Sequence, residues 1–268
     1  MRMIRSNDVW LHMQEDGAAE APPLLLINSL GTDLRMWDGV VAGLARDFRV
    51  IRFDKPGHGL SEAAPRPYRI EMLEAHALAV LAACEVAQAD VLGLSIGGQI
   101  ALSLALNHPA RVRRLVLSNT AARIGSAAMW QDRIAALQQG GIAPMADAVL
   151  ERWFSAPWRA AHPAELAGWR VMLSRSDLTG YLGCCEALST TDLSARCAAL
   201  QMPVQVIAGG ADGATPPDLV QGAADLIPQA ALTCIQGVGH LPCVEDPAAY
   251  LEILRDFLLP DRPGRAAV

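Results

Sequence analysis

The sequence predicts an α/β protein: a mostly parallel central sheet flanked by helices, with a helical cap inserted after the sixth strand. Three observations predict it, namely strand-length apolar runs, helical periodicities between them, and a break in that rhythm after Asn119. A sheet whose strands alternate with helices is wrapped on both faces, so its strands read as continuous apolar runs.

The N-terminal segment alternates instead. Val9, Leu11 and Met13 fall on one side and Trp10, His12 and Gln14 on the other, as in a half-buried strand. After the turn-rich Asp16 to Pro23 comes Leu24-Leu25-Leu26-Ile27, a run suited to a strand covered on both faces. Similar runs stand at Val50 to Phe53, Val91 to Leu94, Leu115 to Leu117 and Val204 to Ala208. Between them Leu73, Ala77, Val80, Leu81 and Cys84 recur at helical spacing, as do Ile100, Leu104 and Ala105, and finally Tyr250, Leu251, Leu254, Phe257 and Leu258. From about Arg123 to Ser194 the patterns are helical throughout, and the alternation resumes at Met202-Pro203. The expected division is a core domain of residues 1–122 and 195–268 with a helical cap over 123–194. A layer that merely covers one face of the sheet is the plainer alternative. Pro260 to Val268 reads as a loose tail.

Composition narrows the function classes. Of 268 residues, 52% are apolar, enough for a substantial core, and the net charge of −6 disfavours nucleic acid or an anionic membrane as partner. No apolar run is long enough to span a bilayer. No basic and apolar leader pattern opens the sequence, so a cytoplasmic location is expected. The six cysteines show no metal-ligand spacing and read as reduced packing residues. Neither a metal nor an organic cofactor is expected, and the sequence sets no oligomeric state.

Chemistry enters at Gly93-Leu94-Ser95-Ile96-Gly97, a G-x-S-x-G sequence. It follows Val91-Leu92 and opens a helix expected over Gln99 to Asn107, the context in which a cramped turn lifts a serine hydroxyl above a sheet edge. Gly98 is expected to give room for close packing of that helix on the strand. A serine that simply caps a helix is the alternative. A serine hydroxyl needs a base. His240, in Gly237-Val238-Gly239-His240-Leu241, follows the strand-like Leu232 to Ile235 and precedes the last helix. His12 belongs to an early strand, His76 and His108 lie in or at the end of helices, and His162 is in the inserted segment. His58, in Pro56-Gly57-His58-Gly59, is the rival.

The base needs an acid to fix its tautomer. Asp212 follows Val204 to Ala208 through Gly209-Gly210-Ala211. After Leu115 to Leu117 stand only Ser118 and Asn119, which carry no charge. Asp225 falls in a helix, and Glu245 and Asp246 read as the cap of the final helix. The order Ser95, Asp212, His240 is that of the α/β-hydrolases, and His58 lies on the wrong side of the serine for it. Backbone donors for an oxyanion are then expected at Ile96 N–H, directly after the nucleophile, and at Leu30 N–H in Asn28-Ser29-Leu30-Gly31.

The chain resembles the α/β-hydrolase family over its full length, and within it the 3-oxoadipate enol-lactonases. The segments carrying the closer likeness are Asn28-Ser29-Leu30-Gly31-Thr32, Phe53-Asp54-Lys55-Pro56-Gly57-His58-Gly59-Leu60-Ser61, Gly93 to Gly98, Asn119 to Gly125, Trp130 with Arg133-Ile134, Glu151-Arg152-Trp153-Phe154, Gly180-Tyr181 and Cys184-Cys185. Asn28-Ser29 departs from the His-Gly common in the wider family, and Pro56 stands where Arg is more usual. The resemblance implies hydrolysis of 3-oxoadipate enol-lactone to 3-oxoadipate in the β-ketoadipate route of aromatic breakdown, without a fused decarboxylase step. It makes a small anionic lactone the partner molecule. Trp130 and Arg133 become candidate substrate-binding residues, with Arg123 and Arg152 as alternatives for the carboxylate; the plainer reading of Arg133 is a solvated surface charge. The rival functions are another carboxylesterase or lactonase, a carbon–carbon bond hydrolase of the same fold, and a hydrolase-like binding protein with little turnover. Serine at the elbow disfavours dehalogenase and epoxide hydrolase chemistry, which need aspartate there.

Overall fold

Eight strands form one sheet in a computed structural model that describes residues 1–259, so the expected tail over 260–268 lies outside the described residues. They are β1 (Arg2–Ser6), β2 (Val9–Asp16), β3 (Pro23–Ile27), β4 (Arg49–Phe53), β5 (Ala89–Leu94), β6 (Val112–Ser118), β7 (Val204–Gly209) and β8 (Ala231–Ile235). The spatial order is β1-β2-β4-β3-β5-β6-β7-β8. β1 pairs antiparallel with β2, and β2 with β4; every other pairing is parallel. Burial follows position. In β2 Val9, Leu11 and Met13 are buried while Trp10 is exposed, whereas every residue of β5 and of β7 is buried.

The helices of the sheet layer are α1 (Asp38–Leu44), α2 (Ile70–Ala83) and α3 (Ile96–Asn107). Five helices then separate β6 from β7: α4 (Ala127–Gly140), α5 (Ala146–Trp153), α6 (Ala156–Ala161), α7 (Pro163–Ser174) and α8 (Leu178–Thr190). The chain closes with α9 (Pro217–Asp225), α10 (Pro242–Glu245) and α11 (Pro247–Leu258). α3 lies along β5 and β6 and packs on α2, while α1 packs on α11. The inserted helices pair mainly with one another, α4 with α8 and α5 with α7.

The insertion reaches the sheet through close backbone contact. A β-carbon on Gly57, in the turn after β4, would stand 2.4 Å from the Cα of Gly180 on α8, so the two segments cross where neither carries a side chain. The cysteines are free thiols, five of them buried, and burial pushes Cys184 and Cys185 up to about 12, which suits packing rather than nucleophilic work. Among the described residues no helix is long and apolar enough to cross a membrane.

Candidate active site

Ser95 is the single residue between β5 and α3, and it turns the chain with φ 60° and ψ −123°. A non-glycine residue held there stores about 1–3 kcal/mol of strain. Hydrogen bonds maintain it. Ser95 N–H donates to Ser118 O (3.0 Å), and Ser95 O accepts from Gly98 N–H (2.8 Å) and from the Thr120 hydroxyl (2.6 Å). The flanking glycines are required by proximity: a β-carbon on Gly93 would lie 2.1 Å from Gly97 O, and one on Gly97 would lie 2.1 Å from Ile27 O. The helix starts at Ile96, three residues earlier than its apolar pattern indicates, because Gly97 and Gly98 are buried but carry no side chain to extend that pattern. Ile96 N–H is therefore the first of α3, where helix geometry supplies no acceptor. Gly98 gives room not to the strand but to Thr120, whose side chain would meet its β-carbon at 2.4 Å.

Asp212 and His240 meet at the same sheet edge, in the turns after β7 and β8. His240 Nδ1 and Asp212 Oδ2 are 2.8 Å apart. An ionised carboxylate only accepts, so Nδ1 is the donor and Nε2 is left free to accept a proton. Asp212 Oδ1 accepts from the N–H groups of Ala214 (2.7 Å) and Thr215 (3.0 Å), and Oδ2 from Asn119 Nδ2 (2.9 Å) and the Thr215 hydroxyl (2.7 Å). Burial is the strongest single influence on this carboxyl and opposes its charge. The charge and hydrogen bond of His240, with the donors from Asn119 and Thr215, outweigh it and hold the group below the ordinary carboxylate value. Asn119, with no charge of its own, is thus a partner of the acid. Its φ of 47° turns the amide toward Asp212 in a conformation asparagine tolerates.

Inserted helices brace both turns. Trp153 O, at the end of α5, accepts from His240 N–H at 2.7 Å, and Arg152 exchanges two hydrogen bonds with Gly213, beside the acid. Glu245 accepts from Gly239 N–H (2.9 Å), Ser155 N–H (3.0 Å) and the Ser155 hydroxyl (2.6 Å). Only Asp246, which accepts from Ala249 N–H, caps the final helix. Glu245 instead ties the histidine turn to the insertion.

Ser95, His240, Leu30, Trp130 and Arg133 line one pocket of about 590 Å³, counting its open mouth. Trp130 is buried, donates Nε1–H to Ile124 O (2.6 Å), and lies 5.7 Å below the Arg133 guanidinium. Arg133 donates to the Tyr181 hydroxyl (2.9 Å), while its Nε is buried without a partner. Arg152 lines the pocket too; burial and then the charge of Arg133 lower its pKa. Among the described residues neither arginine is in an ion pair with a carboxylate. Arg123 stands apart, exposed and 3.4 Å from Asp192. The pocket therefore brings together a serine hydroxyl, an imidazole hydrogen-bonded to a buried carboxylate, and two arginines with no ion pair among the described residues.

His58 is occupied elsewhere. Its Nδ1 donates to Pro56 O (3.1 Å) and its Nε2 accepts Gly31 N–H (3.0 Å), while burial, with the charge of Lys55, drives its pKa well below the usual imidazole value. It is a neutral brace for the loop after β3. Sequence patterns alone point to none of Asn119, Thr215 and Glu245. Asn119 and Glu245 reach groups remote in the chain, which leaves no local pattern, whereas Thr215 bonds Asp212 three residues before it, a short-range signal that could have found it.

A family profile described as the alpha/beta hydrolase fold matches residues 22–140. The chain is 33% identical to 3-oxoadipate enol-lactonase 2 of Acinetobacter baylyi over 92% of each chain. The crystal structure of the enol-lactonase from Burkholderia xenovorans superposes with a TM-score of 0.93 at 38% identity, covering 96% of this chain and 99% of that one. A hydrolase from Pseudomonas aeruginosa gives 0.92 at 39%, covering 96% and 97%. Sheet order, inserted helices and these likenesses lead to one assignment: the chain belongs to the α/β-hydrolase family.

Proposed function

We propose that the protein hydrolyses 3-oxoadipate enol-lactone to 3-oxoadipate through a Ser95–His240–Asp212 triad. The observation that carries this reading is the shared pocket: a histidine hydrogen-bonded to a buried aspartate faces the same cavity as an elbow serine and an arginine without a counter-ion. Ser95 Oγ attacks the lactone carbonyl while His240 Nε2 takes its proton, and the N–H groups of Leu30 and Ile96 receive the oxyanion. Collapse breaks the ring C–O bond. The enolate oxygen takes the proton from His240, and the enol relaxes to the ketone. Water, deprotonated by His240, then attacks the acyl-serine and releases the carboxylate and Ser95. An enolate leaves readily, so little help is needed at that oxygen.

The inserted helices act as the cap in this reading, over 123–194, on a core of 1–122 and 195–268. They supply recognition: Arg133, stacked on Trp130, pairs with the substrate carboxylate. The deciding experiment generates the unstable enol-lactone in place with muconolactone isomerase. Turnover is compared with that of a neutral aryl ester and of a vinylogous diketoacid. Preference for the lactone by at least tenfold in kcat/KM is expected; preference for the aryl ester makes the protein a general esterase, and preference for the diketoacid makes it a carbon–carbon bond hydrolase.

A further inference from the structure

The only lysine in the chain is buried beneath the oxyanion loop, 1% exposed, and the mechanism above leaves it unused. Burying an ammonium costs several kcal/mol unless it is paired, so its place there calls for a reason. Lys55 Nζ donates to Ser29 O at 2.8 Å. The Thr32 hydroxyl (2.9 Å) and Thr32 N–H (3.3 Å) donate to the same oxygen. On the next peptide, His58 Nε2 takes Gly31 N–H at 3.0 Å. Two side chains of the Asp54–Gly59 turn thus grip the loop on both sides of Leu30.

Ser29 O and Leu30 N–H belong to one peptide unit. That unit is planar and trans, so its carbonyl and its N–H point in opposite directions. Drawing the carbonyl toward the buried ammonium turns the N–H away from it, on the side where Leu30 lines the pocket with Ser95. A cation on the carbonyl also polarises the amide, and hydrogen bonds in such a chain strengthen one another. We propose that Lys55 is a positioning residue for catalysis: its ammonium, bonded to Ser29 O, aims and polarises the Leu30 N–H as an oxyanion donor. The proposal rests on the assignment of Leu30 as that donor.

Protonation of Lys55 should be visible in the rate. Burial lowers its pKa to about 8, against the opposing influence of Cys184 on α8 and of Asp54 and Asp33; neutral His58 also stands beside it. As pH rises through about 8 the ammonium becomes an amine, and the donor peptide loses its polarising charge.

Three measurements test this with the full chain and an aryl ester. In Lys55→Met, kcat is expected to fall on the order of 10- to 100-fold, part of what removal of a whole oxyanion donor costs, with KM within twofold. The wild-type kcat is expected to decline as pH rises through about 8, and the profile of Lys55→Met to lack that limb. A folded Lys55→Met with kcat within threefold of wild type overturns the proposal. Should that variant not fold, the wild-type profile decides, and a flat profile between about pH 7 and 9.5 overturns it equally. Leu30→Pro removes the N–H while keeping the lysine. Loss there without loss in Lys55→Met sinks Lys55 alone; a folded, fully active Leu30→Pro sinks the donor assignment beneath it.

Discussion

The sheet-edge turns and the inserted helices line the same pocket and are built in opposite ways. At the sheet edge, α3 buries ten of its 12 residues, and backbone groups hold all three residues: Ser118 O accepts from Ser95 N–H, the N–H groups of Ala214 and Thr215 donate to Asp212, and Trp153 O accepts from His240 N–H. In the insertion, α4 buries only Trp130 and Leu137 of its 14 residues, and Arg133 reaches from it across to the Tyr181 hydroxyl on α8. One region fixes the reacting atoms where backbone permits a single arrangement. In the insertion the lightly buried α4 presents long side chains against the well-buried α8, which buries eight of its 13 residues, so a substitution on α4 is expected to change recognition without disturbing the sheet.

The strongest way to break that contrast is to remove a reacting group. Ser95→Ala should lower kcat on the order of 10⁴-fold or more, because triad members act as a unit. Its melting curve should stay native-like, since the turn depends on Gly93 and Gly97. Asp212→Asn should cost on the order of 10⁴-fold by favouring the wrong histidine tautomer. A mild Asp212→Asn beside a crippling Asp54→Asn would reassign the acid.

Next in size is recognition. Arg133→Met should weaken transition-state binding of the carboxylate-bearing lactone by about 1.5–3 kcal/mol, the range for a hydrogen bond to a charged group. Hydrolysis of a neutral aryl ester should hardly change. Equal losses on both substrates would mean that Arg133 supports the insertion rather than the substrate.

Glu245→Ala sharpens the contrast by cutting the joint between the two regions. Three donors from Gly239 and Ser155 would lose their acceptor, and thermal or urea unfolding should report a loss of about 2–3 kcal/mol. Activity should fall with it, because the His240 turn loses its anchor. The smallest effect belongs to Arg123→Ala. Its pair with Asp192 is exposed on both sides, so stability should move by no more than about 0.5 kcal/mol and kcat/KM for the lactone should hold. A tenfold loss there would place Arg123 at the substrate after all.

The strands, the elbow and the order of its partners were legible because each leaves a local mark: β5 is fully apolar, glycines flank Ser95, and a glycine-rich turn carries Asp212 out of β7. Asn119 left none. An uncharged residue offers no acid, and its use depends on β6 lying beside β7 and on a left-handed φ. Glu245 reads as a helix cap for a similar reason, since a carboxylate before a helix fits that pattern locally while its donors sit 6 and 90 residues away.

The sequence by itself determined the alternating sheet, the helical stretch after β6, and the candidate nucleophile, acid and base, because apolar period and turn chemistry act over a few residues. The tertiary structure alone decided which polar groups became partners. It gave His58 to Gly31 rather than to Ser95, placed Arg133 and Arg152 in the pocket and Arg123 outside it, and buried Lys55 under Ser29. A hydrogen bond or a buried charge is settled by atoms within about 3 Å, and chain folding brings those atoms together from positions whose spacing in sequence carries no signal.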